Sequence, residues 1–206
     1  MLIWLGCGLI VLGIVAFAAD LPAAHYFYEH ASRGFRRFCQ RTTDLAKGGH
    51  WLIAACATYL IALCAMAFGF HSPLFQTIAT YALAFLASLA AGSVVLHGLK
   101  IVLGRRRPRD EFEHRLYGFK FLTFDPQYDS FPSGHALTIM CVAAVASCAW
   151  PQLAVVWFAL ALWLALTRMF LTSHFLSDVL IGAGVGALAA REVIVNIFPQ
   201  LAPGWF

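Results

Sequence analysis

Apolar residues in this chain come in long, nearly unbroken stretches instead of the half-apolar periodicities of a water-soluble fold. Six can be read, at about 2 to 19, 51 to 70, 74 to 99, 135 to 150, 152 to 172 and 175 to 198. A helix needs roughly 20 apolar residues to cross a bilayer, and each stretch comes near that length. The pattern predicts an all-α polytopic membrane protein, with six transmembrane helices in one bundle and a single domain over residues 1 to 206. Strands are not expected in the spans, because open sheet edges leave backbone groups unpaired in lipid. Composition agrees: with 61% hydrophobic and 12% charged residues, a water-soluble domain of this size would have far too much apolar surface to cover.

The first stretch has a rival reading, since Ala16-Phe17-Ala18 before Ala19-Asp20 resembles a signal-peptidase site. No Lys or Arg precedes the apolar run, as a secretory signal requires, so a retained helix is expected. Residues 20 to 50 are too polar to cross. Within them Phe27, Ala31, Phe35 and Phe38 recur at helical spacing while Glu29, Arg33, Arg36, Arg37, Gln40 and Arg41 fall elsewhere on the wheel. This predicts an amphipathic interfacial helix bordering the mouth through which a lipid enters, with a solvated basic linker as the plainer alternative. Short turns, Gly69 to Pro73 and Trp150 to Gln152, alternate with a long polar insert over residues 100 to 134. Counting crossings puts the first loop, the insert and the Arg168 to Ser173 turn on one face, with 13 of the 14 Lys and Arg; Arg191 lies towards the other. The six cysteines lack metal-like spacing and read as small packing residues.

Charged groups at hydrocarbon boundaries are costly and tend to mark sites, and three segments carry them. In the first, Lys100 and Arg107 are seven residues apart, nearly two helical turns, so they share a face if the helix persists. Pro108 disfavours helix at Arg107. Taken alone, this cluster with Arg105, Arg106 and Arg109 also reads as a snorkelling anchor. In the second, Pro132-Ser133-Gly134-His135, Ser133 can cap a helix whose amides face an anion, Gly134 permits close approach, and His135 can exchange a proton near neutral pH. A cap with an incidental histidine is the alternative. In the third, Asp178 lies four residues beyond His174, beside it on a helix. A carboxylate holding one ring nitrogen frees the other to attack phosphorus, with Arg168 holding the phosphoryl group; a structural His–Asp pair is the plainer reading. His97, one turn before Lys100, could face the same site but is expected to be a helix-packing histidine, and Gly182, Gly184 and Gly186 to make close helix contacts.

In order, Lys-x6-Arg-Pro, Pro-Ser-Gly-His and Arg-x5-His-x3-Asp resemble the motifs of the type 2 phosphatidic acid phosphatase family of integral membrane lipid phosphatases. The resemblance implies that His174 attacks to give a phosphohistidine, that Asp178 orients it, and that His135 protonates the leaving oxygen and later helps activate water. Lys100, Arg107, Ser133, Gly134 and Arg168 would bind the phosphoryl oxygens, with no metal and no cofactor. Thr167 stands where the family usually has serine. Implied substrates are phosphatidylglycerophosphate, undecaprenyl diphosphate, phosphatidic acid or the phosphates of lipid A, and nucleic acid is not an expected partner. A non-catalytic lipid-phosphate binder or transporter, and a phosphotransferase, are the rival functions. The count of basic residues would place the motif face in the cytoplasm, whereas the resemblance implies the periplasmic face of a bacterial inner membrane, which is the expectation adopted.

Overall fold

A computed structural model describes residues 1–70 and 72–206. Nine α-helices are present among the described residues: α1 (Leu2–Ala16), α2 (Asp20–His30), α3 (Arg33–Thr43), α4 (Gly48–Ala67), α5 (Pro73–Val102), α6 (Pro108–His114), α7 (Gly134–Ala149), α8 (Ala154–Phe170) and α9 (Leu176–Ile197). Five helical segments are long and apolar enough to cross a membrane. The fourth stretch expected to span is α7, apolar but only 16 residues long. Position 71, in the expected Gly69 to Pro73 turn, lies outside the described residues.

The bundle is organised around α9. Its Gly182, Gly184 and Gly186 all pack where no side chain would fit. A Cβ at Gly182 would collide with the Ser133 carbonyl, one at Gly184 would lie 2.8 Å from the Gly6 carbonyl of α1, and one at Gly186 2.5 Å from the Leu137 carbonyl of α7. Bare backbone on one helix thus lets α7 approach from one side and α1 from the other, the small-residue packing expected where lipid offers helices no hydrophobic drive to associate. Position 182 sets the Pro-Ser-Gly-His segment directly on α9.

Two expectations need correction. The stretch after α1 is not one amphipathic helix but two, because Ala31 is extended and the Ser32 hydroxyl caps a new helix by accepting from the Phe35 amide at 3.2 Å. Their aromatic residues also meet protein: Phe27 and Phe35 pack on Phe170 of α8, with ring centroids 4.9 and 5.4 Å away, and Phe38 neighbours Trp163. Arg36, read as a surface cation, donates from Nε to the Ala31 carbonyl at 3.2 Å and from Nη2 to that of Phe27 at 3.1 Å, capping the exposed end of α2.

The second correction concerns the insert. Helix does not persist from Lys100 to Arg107, since the chain leaves α5 after Val102 and forms β1 (Leu103–Arg105), paired antiparallel with β2 (Phe119–Phe121). Arg107 is extended and Pro108 opens α6, where its fixed φ suits the first helical position and its missing N–H costs nothing.

Gly182→Ala is expected to lower the thermal midpoint of the purified protein by the equivalent of the roughly 1–3 kcal/mol that overpacking costs. Gly8→Ala, where nothing lies within 4 Å of the added carbon, should leave it unchanged. Equal midpoints for the two variants would show that α9 tolerates a side chain against the Ser133 backbone.

Candidate active site

The three motif segments converge. Lys100 from the end of α5, Arg107 from the insert, Gly134 and His135 from the start of α7 and His174 from the α8–α9 turn line one cavity of about 310 Å³. His97 is exposed and lines the same cavity, so it is not the packing histidine expected from its position. Ser133 and Asp178 are buried behind it. The buried Ser133 Oγ and Arg168 Nε have no hydrogen-bond partner among the described residues.

His174 is almost wholly buried, and its hydrogen bonding fixes its tautomer. Nδ1 lies 2.8 Å from the Ser130 carbonyl oxygen. A carbonyl can only accept, so Nδ1 carries the proton and Nε2 is left with its lone pair. Burial holds the ring's pKa below the ordinary imidazole value, more than Asp178 raises it. The ring is therefore neutral at physiological pH.

Asp178 plays a different part from the one its spacing suggests. Its Oδ2 is 3.7 Å from His174 Nδ1, close enough to act through charge but too far to hydrogen-bond. The carboxylate is occupied elsewhere. Oδ2 accepts from the Ser130 hydroxyl at 2.6 Å and from the Phe175 amide at 2.9 Å, at the N-terminus of α9, while Oδ1 accepts from Arg105 Nη1 at 2.7 Å. Asp178 thus holds Ser130, and the Ser130 carbonyl holds the imidazole.

Lys100 and Arg107 are placed as firmly. Arg107 makes a two-pronged pair with Asp129, Nε to Oδ1 at 2.8 Å and Nη2 to Oδ2 at 2.9 Å, and Lys100 Nζ donates to the Asp129 backbone carbonyl. Partial burial alone would raise the Asp129 pKa, but Arg107 and Lys100 outweigh it and keep the carboxylate charged. Arg168 lies in the last turn of α8, and its carbonyl accepts from the Ser173 and His174 amides at 2.9 and 3.2 Å, so the turn that presents His174 is tied to the residue that presents the guanidinium. Within that turn Thr172 has a φ of 52°, a region a β-branched residue rarely enters. The Thr167 hydroxyl, expected near the site, instead donates to the Leu164 carbonyl at 2.5 Å inside its own helix.

Sequence reasoning missed Asp20, Asp129, Ser130 and Ser177, and read Arg105 only as part of a basic cluster. The signal for Asp20 was present, since a carboxylate at the end of an apolar stretch is costly by the same rule that marked the other segments. Ser130 acts through its main chain, which no side-chain pattern reveals.

Comparison with known proteins places this geometry in context. The fold is similar to that of Aquifex aeolicus LpxE, with a TM-score of 0.59 and 17% identity over 86% of this chain and 96% of that one. It is similar also to a PAP2-type phosphatidylglycerolphosphate phosphatase from Bacillus subtilis, with a TM-score of 0.60 and 17% identity over 98% of this chain and 100% of that one. In sequence it matches proteins named lipid A 1-phosphatase, at 34% identity over 113 residues in Rhizobium johnstonii and 32% over 113 residues in Rhizobium etli. These alignments cover 52% of this chain and 46% and 49% of those proteins, so the chain spans about half the length of the curated relatives it matches. The model of the PAP2 superfamily matches residues 81–201, which contain all three motif segments, and the chain belongs to that superfamily.

Proposed function

We propose that the chain is a single-domain membrane phosphatase that releases phosphate from a lipid through a phosphohistidine at His174. The observation that carries the reading is the His174 tautomer: an imidazole with Nδ1–H held by a carbonyl and Nε2 unprotonated, in a cavity lined by Lys100, Arg107 and His135. Nε2 attacks phosphorus as the ester or anhydride bond to the leaving oxygen breaks, and His135 donates the proton that oxygen needs. The same residue then takes a proton from the water that cleaves the phosphohistidine. Lys100, Arg107 and Arg168, with the Ser133 hydroxyl and the Gly134 amide at the start of α7, hold the phosphoryl oxygens as charge redistributes. Asp178 keeps the attacking ring in place through Ser130.

A lipid substrate is supported by a second, apolar groove of about 440 Å³ lined by residues of α4, α5 and α7, helices that also border the reaction cavity. An acyl chain can lie there while the phosphate reaches His174. The names of the sequence relatives favour a glycolipid phosphate of the lipid A type, with phosphatidylglycerophosphate next on the structural likeness. In this reading α7 is the sixth crossing, α3 lies at the interface, and the site opens on the periplasmic face of a bacterial inner membrane. Phosphate release from a panel of these lipids by purified protein tests the assignment.

His174→Ala is expected to abolish turnover, by at least a thousandfold, in protein that still folds. Parental rates in a clean preparation of that variant would remove His174 from the mechanism. Excess chelator should leave activity nearly intact because three fixed cations surround the phosphoryl group, while vanadate, which adopts a pentacoordinate geometry, should inhibit; activity lost to chelator and restored by a divalent ion would contradict this.

The His174 environment also sets a pH dependence. A ring whose pKa is lowered by burial stays unprotonated to lower pH than a free imidazole. The acid-side loss of phosphohistidine formation in single turnovers should therefore fall below the ordinary imidazole value of 6.5. An acid limb at or above that value would mean that the nucleophile is not this buried ring.

A further inference from the structure

Behind His174, Asp178 belongs to a group of buried charged side chains whose other two members, Arg105 and Asp20, have no part in the reaction proposed for that ring. Arg105, from β1, has a fully buried guanidinium, and both carboxylates paired with it, Asp20 and Asp178, are equally buried. Arg105 Nη2 donates to Asp20 Oδ2 at 2.8 Å and to the Tyr117 hydroxyl at 3.1 Å, while Nη1 donates to Asp178 Oδ1 at 2.7 Å and to Ser177 Oγ at 2.8 Å. All four terminal protons are used. Phe175 covers the guanidinium, its ring centroid 4.0 Å from Cζ, and Phe17 and Phe119 lie near 5 Å, at 4.9 and 5.1 Å. Asp20 reaches the start of α9 as well, where Oδ1 accepts from the Ser177 amide at 2.9 Å and Oδ2 from the Ser177 hydroxyl.

We propose that Asp20 and Arg105 are positioning residues for the reaction, forming with Asp178 a buried triad that fixes the His174 ring through Ser130 and supplies the surplus negative charge behind it. The inference rests on the reading of His174 as the nucleophile. With both carboxylates ionised, one cation between two anions leaves the triad a net charge of −1, and the member nearest the ring is Asp178, 3.7 Å away. When Nε2 bonds to phosphorus, the imidazole becomes positive, and that surplus stabilises it. Burying three charges costs more desolvation than apolar packing would, so stability alone is a poor reason for the triad. Its links run without a break from Asp20 to the ring, by way of Arg105, Asp178, the Ser130 hydroxyl and the Ser130 carbonyl.

Charge changes within the triad should move the ring's protonation in opposite directions. Other groups facing His174 are Arg107 and Asp129 from the insert, Arg168 from α8, His135 from α7, and Lys100 and His97 from α5 across the cavity; all stay constant in the comparison. Asp20→Asn keeps the shape but removes one negative charge, so the ring should hold its proton less well and the acid limb should move to lower pH. Arg105→Met leaves the carboxylates without their cation and should move it to higher pH. In purified protein turning over dioctanoyl phosphatidic acid in mixed micelles, each change should lower kcat at least tenfold with KM within about twofold. Asp20→Glu should recover part of the loss. Ser177→Ala, a milder variant for the case that either charge change prevents folding, should lower kcat severalfold without shifting the limb.

The parental protein is checked first for an alkali-stable, acid-labile phosphate adduct on His174, trapped by alkaline quench. Absence of that adduct would overturn the nucleophile reading itself. Adduct in the parent, together with folded variants whose kcat and acid limb match the parent, would overturn the positioning role alone. So would activity that falls only in proportion to the folded fraction, with no movement of the limb, because that is what a purely structural triad gives. Where neither charge variant folds, an unchanged kcat in folded Ser177→Ala protein would overturn it likewise.

Discussion

Close approach of bare backbone along α9 is the constraint on which the rest of the molecule depends. Helices in lipid gain nothing from hiding apolar surface, so contact area and backbone proximity must hold them together. The glycines at 182, 184 and 186 provide both, admitting α7 on one side and α1 on the other. The contact at 182 is more than packing. It sets the Ser133 backbone against α9, where the Ser133 amide donates to the Asp178 carbonyl at 2.9 Å, and so joins the segment carrying His135 to the helix that follows His174. The two histidines of the proposed reaction are thus held to each other by main chain.

The charged groups follow a second constraint, that the cations of the insert and of the end of α5 are each held by a partner, whereas the Arg168 Nε has none among the described residues. Arg107 is fixed by Asp129, Lys100 by the Asp129 carbonyl, and Arg105 by two carboxylates and an aromatic wall. Several like charges gathered at a membrane boundary repel one another, and each carboxylate offsets part of that repulsion while setting direction. Donors oriented before substrate arrives need no reorganisation during reaction, which is where electrostatic catalysis gains most.

How much of this was legible depended on whether the signal was local. Apolar stretches set by bilayer thickness were read closely, although α4 begins at Gly48 and the first helix ends at Ala16, a few residues from the expected edges. The motif residues were read because their types are conspicuous at hydrocarbon boundaries. What failed was long-range: helical spacing from Lys100 to Arg107 was overruled by the pairing of Leu103 with Phe121, which periodicity does not encode. The i,i+4 rule rightly placed Asp178 near His174. It could not foresee that Arg105, Ser130 and the Phe175 amide would claim the carboxylate first.

The burial of Asp20 has a consequence for the order in which this protein can be made. Its partners are far along the chain, Arg105 at a separation of 85 residues and Ser177 at 157. A nascent chain therefore carries a lone carboxylate at the end of its first apolar helix until Arg105 is made, and the arrangement around His174 closes only when α9 arrives. Contacts of such long range form late and slowly. Until they form, the bundle can be inserted and largely helical while His174 still lacks its final surroundings, so the setting of that ring reports the docking of α9 on the elements that precede it.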